Sequence, residues 1–103
     1  MREITVSIPH ELTRAEARNR IEAGIVQTLR ENTSLPLQHT RAWDGDTMSF
    51  SVQAMGITIP GRIDVADQLV WVRVSLPFAL ALLANVIKPS IEREGRKLLT
   101  AER

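Results

Sequence analysis

The sequence predicts a single α+β domain over residues 1–103, in the order β-α-β-β-β-β-α: an antiparallel meander sheet packed on two helices. Three observations carry this. Residues 4–8 and most of 42–76 alternate apolar and polar, the period of half-buried strands. Residues 13–31 hold a capped stripe of helical spacing. Residues 75–100 (SLPFALALLANVIKPSIEREGRKLLT) are apolar nearly all round in their first half and amphipathic in their second.

Taken in order, Ile4-Thr5-Val6-Ser7-Ile8 is the first strand, ended by Pro9. Thr13 and Glu16 form a capping box, with Leu12 at the staple position opposite Ala17. The helix then runs from about Arg14 to Glu31 on the stripe Ala17, Ile21, Ile25 and Leu29. Gly24 in its middle costs about 1 kcal/mol against alanine, or else allows close packing. Residues 32–38, with Pro36, are a loop. Ala42-Trp43 leads into the Asp44-Gly45-Asp46 turn, and Met48, Phe50, Val52 and Ala54 give the next strand one apolar face. Met55-Gly56 turns again. Ile57, Ile59, Ile63 and Val65 alternate around Pro60-Gly61; a proline there means an edge or a bulge at that point. Val70, Val72, Val74 and Leu76 share one face of the last strand, and Leu69, Trp71 and Arg73 the other. Pro77 opens a final helix to about Thr100, which Pro89 should kink or break. Ile87, Ile91 and Leu98 continue its stripe, with Gly95 between them. A sheet curled round a long C-terminal helix is, by analogy, helix-grip-like.

Composition removes several functions. The chain has 44% hydrophobic residues, 24% charged residues and a net charge of +1. It is therefore expected to fold, without the basic excess of a nucleic-acid binder, and its two Phe and two Trp are few for base stacking. With no cysteine it lacks disulfides, thiolate catalysis and Cys-based metal sites, in keeping with a cytoplasmic setting. Residues 1–12 lack the apolar core of a signal peptide. The longest apolar run, 76–87, is too short for a transmembrane span of about 20 residues.

No catalytic, cofactor or metal motif is visible. Asp44, Asp46 and Asp67 lie in turns at one end of the expected sheet; a cation site or an acid–base pair competes with their ordinary role as turn residues, and the latter is expected. His10 and His39 are too far apart for a local ligand pair, and His10 is expected to help its turn. Arg14, Arg18, Arg20 and Arg30 read as a solvated helix face. The apolar half of the last helix has three readings that overlap. It is a core helix wrapped by the sheet, the favoured one; or a lid over an apolar cavity; or a surface that docks on a hydrophobic phase or a second copy, a homodimer.

Several segments together resemble one family. Ile8-Pro9-His10-Glu11-Leu12-Thr13 with Ala15-Glu16-Ala17-Arg18, and Trp43-Asp44-Gly45-Asp46-Thr47-Met48-Ser49-Phe50, are similar to the N-terminal half of the polyhydroxyalkanoic acid system proteins. Gly61-Arg62-Ile63-Asp64-Val65, the valine-rich strand at 70–76, and Leu80 to Leu83 with Ile87-Lys88 and Ile91-Glu92-Arg93-Glu94 resemble the rest. The resemblance implies a small bacterial protein linked to polyhydroxyalkanoate storage granules, and no activity, cofactor or ligand residues. The expectation is a non-enzymatic accessory protein. It would meet the granule surface or a granule-associated protein through Trp71, Phe78, Leu82, Leu83, Val86 and Ile87, with Trp71 and Phe78 as anchors. The alternative is a carrier or sensor of a small apolar ligand, held between Met48, Phe50, Val52, Ile63, Val72 and Val74 and the last helix.

Overall fold

The computed structural model describes residues 2–31, 37–54 and 56–100. The expected roles of Leu29 and Arg30, residues 32–36 of the expected loop with Pro36, and Met55 lie outside the described residues and side chains; Leu37 and Gln38, expected to end that loop, instead begin a strand, where they pair with Ala54 and Gln53. The elements are β1 (Arg2–Pro9), α1 (Arg14–Glu31), β2 (Leu37–Asp44), β3 (Thr47–Ala54), β4 (Ile57–Val65), β5 (Leu69–Leu76), a 3-10 helix (Phe78–Leu83) and α2 (Ala84–Leu99). The strands form one antiparallel sheet in the order β1-β5-β4-β3-β2, so the expected α+β meander is present. β1 closes it by pairing with β5, from Arg2 opposite Leu76 to Pro9 opposite Leu69.

Alternation divides the sheet into two faces. Ile4, Val6 and Ile8 join Val70, Val72, Val74 and Leu76 on the face that both helices cover, with Ala17 and Ile21 from α1 and Ala84 and Leu99 from α2. Among the described residues nothing covers the other face. There Ser7, Trp71 and Asp64 stand side by side, as do Thr5, Arg73 and Arg62. Pro60 is accommodated in an interior strand because β4 pairs with β5 only from Gly61 to Val65. β4 thus behaves as an edge at the residue that has no N–H to offer. A Cβ on Gly61 would lie 2.1 Å from the Phe50 ring, which crosses this backbone from the facing strand.

The capping box forms as the spacing predicts: the Glu16 amide donates to Thr13 Oγ1 at 3.1 Å, and Glu16 Oε1 accepts from the Thr13 amide at 3.3 Å. Gly45 turns the β2–β3 hairpin at φ 63°. Gly24 serves close packing, since a Cβ there would lie 2.5 Å from Leu98 of α2. Arg20 completes that junction by donating from Nη1 to the Leu98 carbonyl at 3.3 Å.

The last segment departs from expectation. Its apolar half is not a core helix wrapped by the sheet. Residues 78–83 form a 3-10 helix with no buried residue, and the α-helix begins only at Ala84. Pro89 does not end the helix, which continues to Leu99; the change of helix type falls before it. The charged second half is the part that packs. Gly95 lies against β1, where an added Cβ would be 2.1 Å from Ile8 Cδ1. The physical reason is that amphipathic residues 87–99 have one apolar stripe to bury, while 78–86 are apolar on two sides and only one can face the core.

His10 is buried and holds the β1–α1 corner to the β4–β5 turn. Its Nδ1 accepts from the Leu12 amide at 3.1 Å, so its Nε2–H donates to the Ala66 carbonyl at 2.9 Å. His10→Ala strands both partners and is expected to cost about 2 kcal/mol, read from urea denaturation. An unchanged midpoint would refute this role.

Candidate functional site

Two surfaces stand out, and the first is the start of the last segment. Pro77, extended at φ −57° and ψ 157°, leads out of β5, and its carbonyl accepts the Leu80 amide at 2.8 Å. This sets the 3-10 turn and aims Leu80 at the core, followed by Ala84 and Ile87 one helical face onward. The opposite side is left outside. Phe78 is 88% exposed, Leu82 92%, Val86 69% and Leu83 46%. Large apolar side chains are thus crowded into one exposed segment, in a 3-10 run longer than the usual three or four residues. The structure does not bring all six expected residues together. Ile87 packs against the core. Trp71, 38% exposed, is on the uncovered sheet face, about 17 Å along β5 from Leu76.

The second surface joins α1 to the edge strand β2. Arg18 and Glu22, one turn apart on α1, face His39, Arg41 and Trp43, which alternate on β2. Glu22 is the hub. It accepts from Arg41 Nε at 3.0 Å, from Arg41 Nη2, and from Trp43 Nε1 at 3.2 Å. The Arg18 guanidinium lies 4.7 Å from the centre of the Trp43 ring, a cation–π contact. Beside this cluster is a partly open apolar cavity of about 190 Å³, lined by Met48, Phe50, Val52 and Ile63 of the sheet and by Ile25 of α1. It differs from the expected ligand space: α1 rather than α2 roofs it, and Val72 and Val74 are buried in the core.

Arg41, foremost, and Trp43 hydrogen-bond the Glu22 carboxylate and hold its pKa below the ordinary value of about 4.5, although partial burial opposes them. The folded state therefore binds this proton less readily than the unfolded chain. The stabilisation is complete above about pH 4.5 and is lost as pH falls through the lowered folded value. Because the pair is partly solvated, acidification is expected to remove about 0.5–1 kcal/mol. Urea melts from neutral to about pH 3 should show that Glu22→Gln lacks this component. Equal acid sensitivity of variant and wild type would reject it.

The turn carboxylates meet a guanidinium. Arg14 donates to Asp67 at 2.7 Å and to Asp46 at 3.0 Å, tying the start of α1 to two turns. No group of three or more metal-ligating side chains occurs among the described residues. The arginines of α1 are thus not a plain solvated face: Arg14, Arg18 and Arg20 each reach another element. Sequence reasoning missed Trp43 and Arg41 as site residues because β2 carries no clear apolar alternation. The available signal was the Arg18/Glu22 spacing opposite His39, Arg41 and Trp43.

The fold and these surfaces define a two-layer α+β protein, one sheet covered on one face by helices, with an exposed apolar segment and a polar groove. In the described residues no helix is long and apolar enough to cross a membrane. The family model described as putative polyhydroxyalkanoic acid system protein matches residues 4–99, and the chain belongs to that family. A comparison with curated proteins gives no match.

Proposed function

We propose that this protein is a non-enzymatic accessory protein of polyhydroxyalkanoate storage, working in the cytoplasm. It docks on the granule surface, or on a granule-bound protein, through Phe78, Leu82, Leu83 and Val86. The observation that carries the reading is the outward placement of these four side chains in a single short segment. Each large apolar side chain moved from water into an apolar phase contributes about 1.5–3 kcal/mol, so two or three inserted together suffice for a stable contact. The family supports polyhydroxyalkanoate as the setting. Of the turn carboxylates, the best candidates for acid–base chemistry, Asp46 and Asp67 are engaged by Arg14.

The test mixes purified protein with washed polyhydroxyalkanoate granules and pellets them. The expected result is sedimentation well above that of a control protein of similar size and charge. Sedimentation no greater than the control would reject direct docking on the granule surface. Self-association that buries the segment would instead identify a second copy as its occupant.

A further inference from the structure

We propose that the groove between α1 and β2 is a binding site for a short aliphatic carboxylate. The chain would lie in the apolar cavity and the carboxylate on Arg41 and His39. The cavity is lined by Ile25, Met48, Phe50, Val52 and Ile63 and has a volume of about 190 Å³. At about 30 Å³ for each methylene- or water-sized group, it holds about six of them. This is well below the roughly 300–1,000 Å³ of sites for drug-sized molecules, so the ligand is small.

Its mouth specifies the head group. His39, Thr40 and Arg41 belong both to the apolar cavity and to the polar groove beside it. Glu22 takes up Nε and Nη2 of Arg41, while among the described residues Nη1 has only a long 3.5 Å contact with His39 Nδ1, leaving donor capacity at the junction. Arg41 is paired with Glu22, and Arg18 Nη1 lies 3.9 Å from Asp46, a carboxylate that Arg14 also engages, so two guanidinium groups stand at the groove with their carboxylates shared or to one side. Arg18 Nε is in addition buried with no hydrogen-bond partner among the described residues. Such a group is costly to leave unmet, and an anion in the groove lowers that cost. An apolar pocket with cationic donors at its mouth is complementary to a chain that ends in a carboxylate, and less so to a neutral chain or a bare anion. This site is separate from the exposed segment at 78–86 and stands or falls independently of granule docking.

Titration with sodium hexanoate, hexan-1-ol and sodium acetate, followed by calorimetry and by methyl NMR, tests the assignment. Hexanoate is expected to bind about tenfold or more tightly than either of the others and to shift the methyl signals of Ile25, Val52 and Ile63. Arg41→Gln should weaken hexanoate about tenfold and leave hexan-1-ol unchanged. Because that change also releases Glu22, Val52→Phe provides a second arm: it fills the cavity and should abolish hexanoate binding while the thermal melt stays cooperative. Equal affinity for hexanoate and hexan-1-ol, undiminished binding by Val52→Phe, or shifts confined to residues 78–86 would each overturn the proposal. So would no binding of hexanoate at millimolar concentration.

Discussion

Phe78→Glu combined with Leu82→Glu is expected to lower the affinity for granules by about a hundredfold or more, with little change in thermal stability. Both side chains are almost fully solvent-exposed in the free protein, so the folded state loses no packing when they are replaced. Exposed substitutions away from special features usually stay within about 0.5 kcal/mol. On the granule the same two side chains would contribute about 3–6 kcal/mol together, and each 1.4 kcal/mol is a factor of ten in binding. Trp71→Ser is the informative control. Trp71 lies on the uncovered sheet face opposite Ser7 and Asp64, and its loss should leave sedimentation unchanged. If the double variant pelleted like the wild type, the segment at 78–86 would not be the docking surface. If Trp71→Ser alone abolished pelleting, the sheet face would take its place.

The second large effect is in the core. Ile8 is among the largest fully buried side chains, and Ile8→Ala is expected to cost about 3–4 kcal/mol through the lost transfer energy and the cavity left behind. Gly95→Ala, on the facing turn of α2, puts a Cβ 2.1 Å from Ile8 Cδ1 and 3.3 Å from its Cγ1. Overpacking of this kind costs about 1–3 kcal/mol, offset by about 1 kcal/mol of helix propensity. The two changes should not add. In the double variant the new methyl occupies space that the isoleucine has vacated, so the total cost should fall short of the sum by about 1 kcal/mol or more. Urea denaturation of the four proteins measures this coupling. Strict additivity would mean that α2 can shift away from β1 without penalty, and that Gly95 is not the reason for their close approach.

Local signals were legible because their physics is local. Alternation in 4–8 and 69–76 gave β1 and β5, Thr13 and Glu16 gave the start of α1, and Gly45 gave the hairpin turn, each through interactions among near neighbours. The role of His10 in its turn followed from its position after Pro9. The candidate sites were less legible. That Asp46 and Asp67 share one end of the sheet was legible, but the Arg14 bonds to them span 32 and 53 residues and depend on where the start of α1 lies over those turns. The cluster of Arg18, Glu22, Arg41 and Trp43 depends on α1 passing over the β2 edge, which no spacing within either element specifies.

The sequence by itself determined the α+β class, the element order and the residues able to form a core, because periodicity and turn chemistry act over a few residues. It also determined that 76–87 is too short for a span. Only the tertiary structure decided that β1 lies beside β5, that the amphipathic second half of the last segment takes the space over β1, and that Phe78, Leu82 and Val86 remain outside. A segment apolar on two sides carries no internal mark of which side will be buried. That choice is made by the neighbours it meets, here Ile8 against Gly95 and Leu98 against Gly24.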